Sequence, residues 1–495
     1  MTTLIDKTNP EPRREAAPGV MRSRAPSPTP STPVSLYKSR EQIYPKLAHG
    51  FFRNLKWIAL IVLLGIYYIL PWVRWDRGPG QPDQAVLVDF ENARFYFFFI
   101  EIWPQEIYFI TGLLILAALG LFLVTSLFGR VWCGYACPQT IWTDLFIYVE
   151  RFFEGDRNAR IKLDRAPWTL SKVYKKVAKH AVWLLIALFT GGAWILYFHD
   201  APTIARDFFL GHAPMTSYVF AAILTFTTYS LAGFMREQVC TYMCPWPRIQ
   251  AALIDEEALN VTYRYDRGEP RGPHKKGATW EGRGDCIDCR QCVAVCPVGI
   301  DIRDGLQLEC IGCALCIDAC NGIMAKVDRP PNLIAYDTDA NVVRRMQGDK
   351  SRYRLIRSRT VIYAAVFAAV GFTMLYALLA RTTLDLNVVR DRQPNFVRMS
   401  DGSVQNGYTI KVMNKATAER TLKLSAVGLP SPIVKVAGQT GLSLQVPADE
   451  TIDFRVIVIE DDLDMLDGRA EFVFELEDAD SDTTANRPTV FVAGE

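Results

Sequence analysis

Twelve cysteines carry the chemistry of this 495-residue chain, and all fall between Cys133 and Cys320. Eight lie in two runs of one spacing. CIDCRQCVAVCP at 286–297 and CIGCALCIDAC at 310–320 both read C-x2-C-x2-C-x3-C. An iron–sulfide cubane presents four iron corners. Thiolates two residues apart on a tight loop reach three of them, and the fourth cysteine of such a run reaches the neighbouring cluster. The spacing therefore predicts two 4Fe-4S clusters. One is held by Cys286, Cys289, Cys292 and Cys320, the other by Cys310, Cys313, Cys316 and Cys296. Pro297 closes the first run, whereas Asn321 stands at the matching place in the second. Zinc sites pair two C-x2-C units and leave the third and fourth cysteines of each run unexplained. Disulfides do not suit a large chain whose start reads as no secretory leader.

The other four cysteines form a second pattern. VWCGYACPQT holds Cys133 and Cys137, and QVCTYMCPWP holds Cys240 and Cys244. Both read C-x3-C-P, and both follow an apolar stretch and an arginine, Arg130 and Arg236. On a helix, positions i and i+4 share a face, so each pair can present two thiols to one ion. Pro138 and Pro245 break the helix there and free backbone carbonyls. Soft thiolates select Cu(I) or iron–sulfur clusters, and Met243 adds another soft sulfur. Three fates stay open: one soft copper site, one further cluster shared by four thiolates, or four buried apolar cysteines. A shared site requires the two loops to meet, which is expected only if the second and fourth apolar stretches are neighbours.

Those loops must be positioned by membrane spans. Crossing a bilayer as a helix takes about 20 apolar residues. Five stretches qualify, at 57–73, 107–128, 181–198, 216–234 and 361–380. Basic residues crowd before the first, after the second and before the fifth, as in Arg151–Lys176 and Arg344–Arg359. The positive-inside rule then places the N-terminus and the cluster cysteines in the cytoplasm and the C-terminus in the periplasm of a bacterial inner membrane. The aromatic stretch 95–103 reads as an interfacial element, and 137–153 as an amphipathic helix on the cytoplasmic face.

The expected divisions follow. Residues 1–52 form a disordered cytoplasmic tail. Residues 53–244 form the transmembrane core with both C-x3-C-P motifs, and 245–360 a ferredoxin-type domain with a basic linker. Residues 361–380 make the last span. From 381 to 495, short alternating runs such as Tyr408, Ile410, Val412 and Phe472, Phe474, Leu476 suggest about seven strands in an immunoglobulin-like β-sandwich. An acidic loop with Asp461, Asp462, Asp464 and Asp467 departs from the EF-hand spacing and reads as solvated. His180 reads as interfacial without a ligand, and His199 and His212 as part of an external loop. The net charge of +2 gives no reason to expect nucleic acid.

The fold class is thus a mixed membrane protein. It is a bundle of about five transmembrane α-helices with an inserted two-cluster ferredoxin domain and a C-terminal immunoglobulin-like β-sandwich. From about Tyr44 onward, this combination resembles the FixG/RdxA/CcoG family of cytochrome c oxidase accessory proteins. The resemblance implies a role in maturing a cbb-type oxidase, with Cu(II) reduced to Cu(I) for insertion. It also implies copper handling, as catalytic and metal positions, by Cys133, Cys137, Cys240 and Cys244. Implied partners are the membrane, oxidase subunits or copper-delivery assembly factors, and an electron donor that the sequence does not name. Two other functions compete. One is a quinol-linked electron conduit to a periplasmic or membrane reductase; the other is an assembly scaffold with structural clusters.

Overall fold

The computed structural model describes residues 42–494, apart from 79, 276, 278, 417, 440 and 462–467. Most of the expected tail therefore lies outside the described residues, as do Asp462, Asp464 and Asp467 of the acidic loop. Among the described residues, five helices are long and apolar enough to cross a membrane: Phe51–Trp72, Pro104–Phe128, Leu170–Ile195, Met215–Met235 and Ser358–Leu379. They are called spans one to five here. Span two packs on span five and span three on span four. Glycine makes both contacts possible. A Cβ on Gly112 would meet the Met374 side chain, and one on Gly191 would meet the Ala221 carbonyl.

Between spans one and two the chain forms a three-stranded antiparallel sheet, β1 (Val86–Asp89), β2 (Arg94–Phe97) and β3 (Ile100–Ile102). The aromatic stretch 95–103 thus enters span two as strands. The run RFYF suits a pleated, half-buried surface better than a helix. Residues 44–50, counted with the tail by sequence, lie against the helix Arg157–Arg165 and the cluster domain. Tyr44 donates to Asp164 at 2.8 Å, and the Lys46 amide donates to the Ala294 carbonyl at 2.8 Å. The first turn of span one is capped from outside: the Phe52 and Arg53 amides donate to the Asp318 carboxylate at 3.3 and 2.8 Å. An anion there also complements the positive end of the helix dipole. Asp318 belongs to the helix Leu315–Met324 of the second cluster run, so this cap fixes the cluster domain to the membrane bundle.

After span two the chain makes one helical turn, Val131–Tyr135, and then the helix Pro138–Glu154. The second helix buries acids beside its apolar face, where Phe146, Ile147 and Val149 are buried. Tyr148 and Phe152 are exposed, while Asp144, Glu150 and Glu154 are buried. Each buried acid has a cation. Asp144 meets Arg53 at 2.9 Å, Glu150 meets Arg160 at 2.6 Å and Arg236 at 3.0 Å, and Glu154 meets Lys179 at 2.9 Å. Burial alone would raise Asp144, but Lys56 and Arg53 outweigh it and hold the carboxyl below its ordinary range. The helix is anchored through its charges, and removing one partner would leave the other buried and unpaired.

The cluster domain is framed by two antiparallel strands, β4 (Asn260–Tyr263) and β5 (Ile334–Asp337), with the short helices Gln291–Val295 and Leu315–Met324 between them. Beyond span five, nine strands form two facing sheets. The first has the order β10 (Ile433–Val436), β12 (Glu450–Glu460), β8 (Val404–Asn414), β6 (Leu384–Arg390), with β7 (Val397–Arg398) also paired to β8. The second runs β11 (Ser443–Val446), β9 (Arg420–Val427), β13 (Arg469–Asp478), β14 (Thr484–Val492). Alternate residues point inward, so Tyr408, Ile410, Val412, Leu424, Val456, Phe474 and Leu476 are fully buried. The sandwich meets the β1–β3 sheet and the start of span two through charges. Arg94 binds Glu101 at 2.9 Å and also Asp449, and Lys415 binds Glu106 at 2.8 Å.

Candidate redox centre

The two ferredoxin-type runs fold as loops, each followed by a short helix. Arg290 (φ 53°) and Ala314 (φ 60°) take left-handed backbone where the loop turns into that helix. This turn brings the fourth cysteine of each run toward the first three of the other. Cys320 lies in electrostatic range of Cys292, Cys286 and Cys289, and Cys296 in range of Cys313 and Cys310. One cavity is lined by Cys286, Cys289, Cys292 and Cys320. Another is lined by Cys296, Cys310, Cys313 and Cys316, with Cys292 at its edge.

Burial pushes these thiols up, to about 12 for Cys296 and Cys320 and about 11 for Cys292 and Cys310; Cys316 is raised as well. Thiols so placed stay protonated at neutral pH unless a cationic centre holds them as thiolates. Among the described residues, no three His, Cys, Asp or Glu side chains converge on a point that would hold a single ion. Cages with separated sulfurs fit a group with several metal corners better than a mononuclear zinc site.

The C-x3-C-P motifs differ from the expected helix faces. Cys133 lies in the turn Val131–Tyr135, but Cys137 is extended (φ −64°, ψ 126°) at the start of the next helix. Cys240 lies in a π-helical turn, Val239–Met243, and Cys244 is again extended (φ −79°, ψ 125°). A residue before proline is driven out of the helical region by the pyrrolidine ring. Each pair therefore straddles a helix break and does not share one helix face. Arg236 also stands one residue further from its cysteine than Arg130 does. Wider i→i+5 bonding from the Arg236 amide to Leu231 takes up that residue, while the Cys244 amide bonds Val239 as the Cys137 amide bonds Trp132.

All four cysteines nevertheless come to one locality. Cys133 is in electrostatic range of Cys137 and Cys244, and Cys240 of Cys137, Cys133 and Cys244. The chain achieves this by exchange rather than by placing spans two and four side by side. Gln139, just after the first motif, reaches span four and donates to the Leu231 carbonyl at 2.9 Å and the Arg236 carbonyl at 3.2 Å. Gln250, after the second motif, reaches back to span two. It donates to Thr125 at 3.2 Å and accepts from the Cys133 thiol at 3.1 Å. Neither glutamine stands out in the sequence, since one follows its proline by one residue and the other by five.

The two kinds of centre share a wall. Cys133 packs in one apolar cluster with Ile311, Cys313 and Leu315. A Cβ on Gly134 would stand 3.0 Å from the Cys313 backbone and the Gly312 carbonyl, so glycine eases this close approach. The Tyr135 hydroxyl donates to the Cys313 carbonyl at 3.1 Å. The histidines stay apart from all of this. His180 meets the Tyr229 hydroxyl at 3.0 Å. His199 faces Ser217 across 3.5 Å at the edge of a cavity of about 560 Å³, and His212 is exposed.

Three family models match the chain: a 4Fe-4S binding domain at residues 110–156, a 4Fe-4S dicluster domain at 235–339, and the Ig-like fold at the C-terminus of FixG at 374–494. The nitrogen fixation protein FixG of Rhizobium meliloti is 54% identical over 456 residues, covering 86% of this chain and 87% of that protein. The chain belongs to the FixG family. Protein RdxB of Cereibacter sphaeroides is 53% identical, covering 86% of this chain and 90% of that one. A crystal structure of a FixG-related protein from Vibrio parahaemolyticus is 23% identical over 23% of this chain and 97% of that one, with a TM-score of 0.21. As a FixG-family member the chain is a membrane protein with ferredoxin-type iron–sulfur domains and a terminal Ig-like domain. The 4Fe-4S match at 110–156 contains just two cysteines, Cys133 and Cys137.

Proposed function

We propose that this FixG-family chain passes electrons from two 4Fe-4S clusters to its membrane-edge cysteines and there reduces Cu(II) to Cu(I) for assembly of a cbb-type cytochrome c oxidase. The packing of Cys133 and Gly134 on the Gly312–Cys313 backbone carries this reading. Cys286, Cys289, Cys292 and Cys320 would hold one cluster, and Cys310, Cys313, Cys316 and Cys296 the other. Such clusters, when bound, give and take one electron at a time. The chain supplies the thiolates, buries Cys313, and leaves Cys289 exposed as the entry for a one-electron donor. Copper is substrate and cargo at Cys133, Cys137, Cys240 and Cys244. One electron converts Cu(II) to Cu(I), and each thiol that takes up copper releases its proton to solvent. Thiolates favour Cu(I) over Cu(II), which raises the potential of the bound couple. Two thiolates suffice for Cu(I), so four cysteines in one locality need not converge on one point.

The Lys/Arg distribution supports clusters on the cytoplasmic side and a periplasmic sandwich, where oxidase subunits or copper-delivery factors would dock. An alkaline phosphatase fusion after Asp401 is then active, and one after Arg329 is inactive. The reverse pattern would place the clusters outside.

One observation favours a second reading. The 4Fe-4S match over Cys133 and Cys137 fits a third cluster shared by the four membrane-edge cysteines. Iron analysis of anaerobically purified protein separates the two, at about eight iron atoms per chain for two clusters and about twelve for three.

A further inference from the structure

Arg130 is a buried guanidinium, 6% exposed. It donates to the backbone carbonyls of Leu308 and Cys310 in the second cluster run, and to that of Pro247 beyond the second C-x3-C-P motif. One side chain thus ties together the residues just before Cys133, the loop at Cys310 and the first turn of the helix Trp246–Leu253 after Cys244. Among the described residues, no carboxylate pairs with it. Glu309 acts on it at longer range without ion-pair contact, and the other groups that act on it are Cys133, Cys310 and Cys240.

The comparable arginines are neutralised. Arg236, its counterpart in the second repeat, binds Glu150 at 3.0 Å. Around the first cluster run, Arg303 is held by Asp288 and Asp301, both at 2.5 Å, while Arg267 and Arg329 share Asp285. Each of these three cations meets a carboxylate. A buried cation without a counter-ion costs several kcal/mol, and anionic thiolate centres on either side of Arg130 would offset that cost.

We propose that Arg130 is the positioning residue that raises the potential of the second cluster above that of the first, drawing electrons toward the membrane-edge cysteines. This rests on the two-cluster reading above. Nearby positive charge stabilises the reduced, more negative form of a cluster and so raises its potential. The electron enters at the first run, reduces the second cluster, and leaves it oxidised again on passing to the acceptor at Cys133 and Cys240.

The test is an EPR-monitored redox titration of the anaerobically purified full chain, with Cys289→Ser to identify which signal belongs to the second cluster. In Arg130→Gln the second cluster's midpoint shifts downward while the first stays in place. In Arg130→Lys, which keeps the charge, most of that shift is absent. Unshifted midpoints in Arg130→Gln, or equal shifts of both clusters, overturn the proposal. Should Arg130→Gln lose the second cluster, Arg130→Lys decides: a retained cluster near the wild-type potential supports the charge role, and loss in both variants refutes it. Copper reduction is assayed separately, so a failure of the copper reading leaves the midpoint result intact.

Discussion

Serine at both Cys240 and Cys244 is expected to abolish stoichiometric copper binding and Cu(II) reduction while leaving the ferredoxin-type EPR signals unchanged. Loss of residues that merely support a ligand typically weakens metal sites by about 10–100-fold, so removing two soft ligands exceeds that range. The two positions can bear the change. Both are half-buried and belong to none of the apolar core clusters. The check is equilibrium dialysis against Cu(I) under argon, with EPR on the same sample. A double variant that still binds one Cu(I) per chain would place the copper site elsewhere. Loss of iron from the double variant, down by about a third from about twelve atoms, would instead favour the shared third cluster.

The second large effect concerns the inner cluster. Cys316→Ser is expected to halve the iron, from about eight to about four atoms per chain, and to stop copper reduction entirely. The serine would also bury a hydroxyl in place of a ligated sulfur, at a cost of about 1–3 kcal/mol if it finds no partner. Cys289→Ser, at the exposed end, removes the other half of the iron. If electrons travel from the first run through the second, a Cys289→Ser protein whose remaining cluster is chemically reduced still transfers one electron to copper. Cys316→Ser does not, however fully its remaining cluster is reduced. Metal analysis with single-turnover copper assays distinguishes the two variants.

The features legible in the sequence are those fixed by local spacing. Cys286–Cys320 announce themselves because a cubane dictates intervals of two and three residues. The spans follow from bilayer thickness, and Tyr408–Val412 or Phe472–Leu476 from the two-residue repeat of a strand. What escaped depends on partners far along the chain. The helix at 137–153 reads from its local sequence as amphipathic, but the cations that bury Asp144 and Glu150, Arg53 and Arg236, belong to other elements. The four membrane-edge cysteines were expected to meet through neighbouring spans, yet Gln139 and Gln250 bring them together by crossing over. Placing each pair on one helix face ignored the effect of Pro138 and Pro245 on the residue before them. Arg130 looked like one more basic residue at a membrane edge. Only the folded chain shows that no carboxylate among the described residues neutralises it.

The central claim is that electrons held by the clusters end on copper at the membrane-edge cysteines. Its most direct measurement is a single-turnover experiment. Anaerobically reduced protein, freed of excess reductant, is mixed with one equivalent of Cu(II), and cluster oxidation and Cu(I) formation are followed together. Wild type should lose one cluster electron for each Cu(I) formed, and the protein lacking Cys240 and Cys244 should keep its clusters reduced. Clusters that stay reduced in wild type, or that are oxidised equally fast in the double variant, would contradict it.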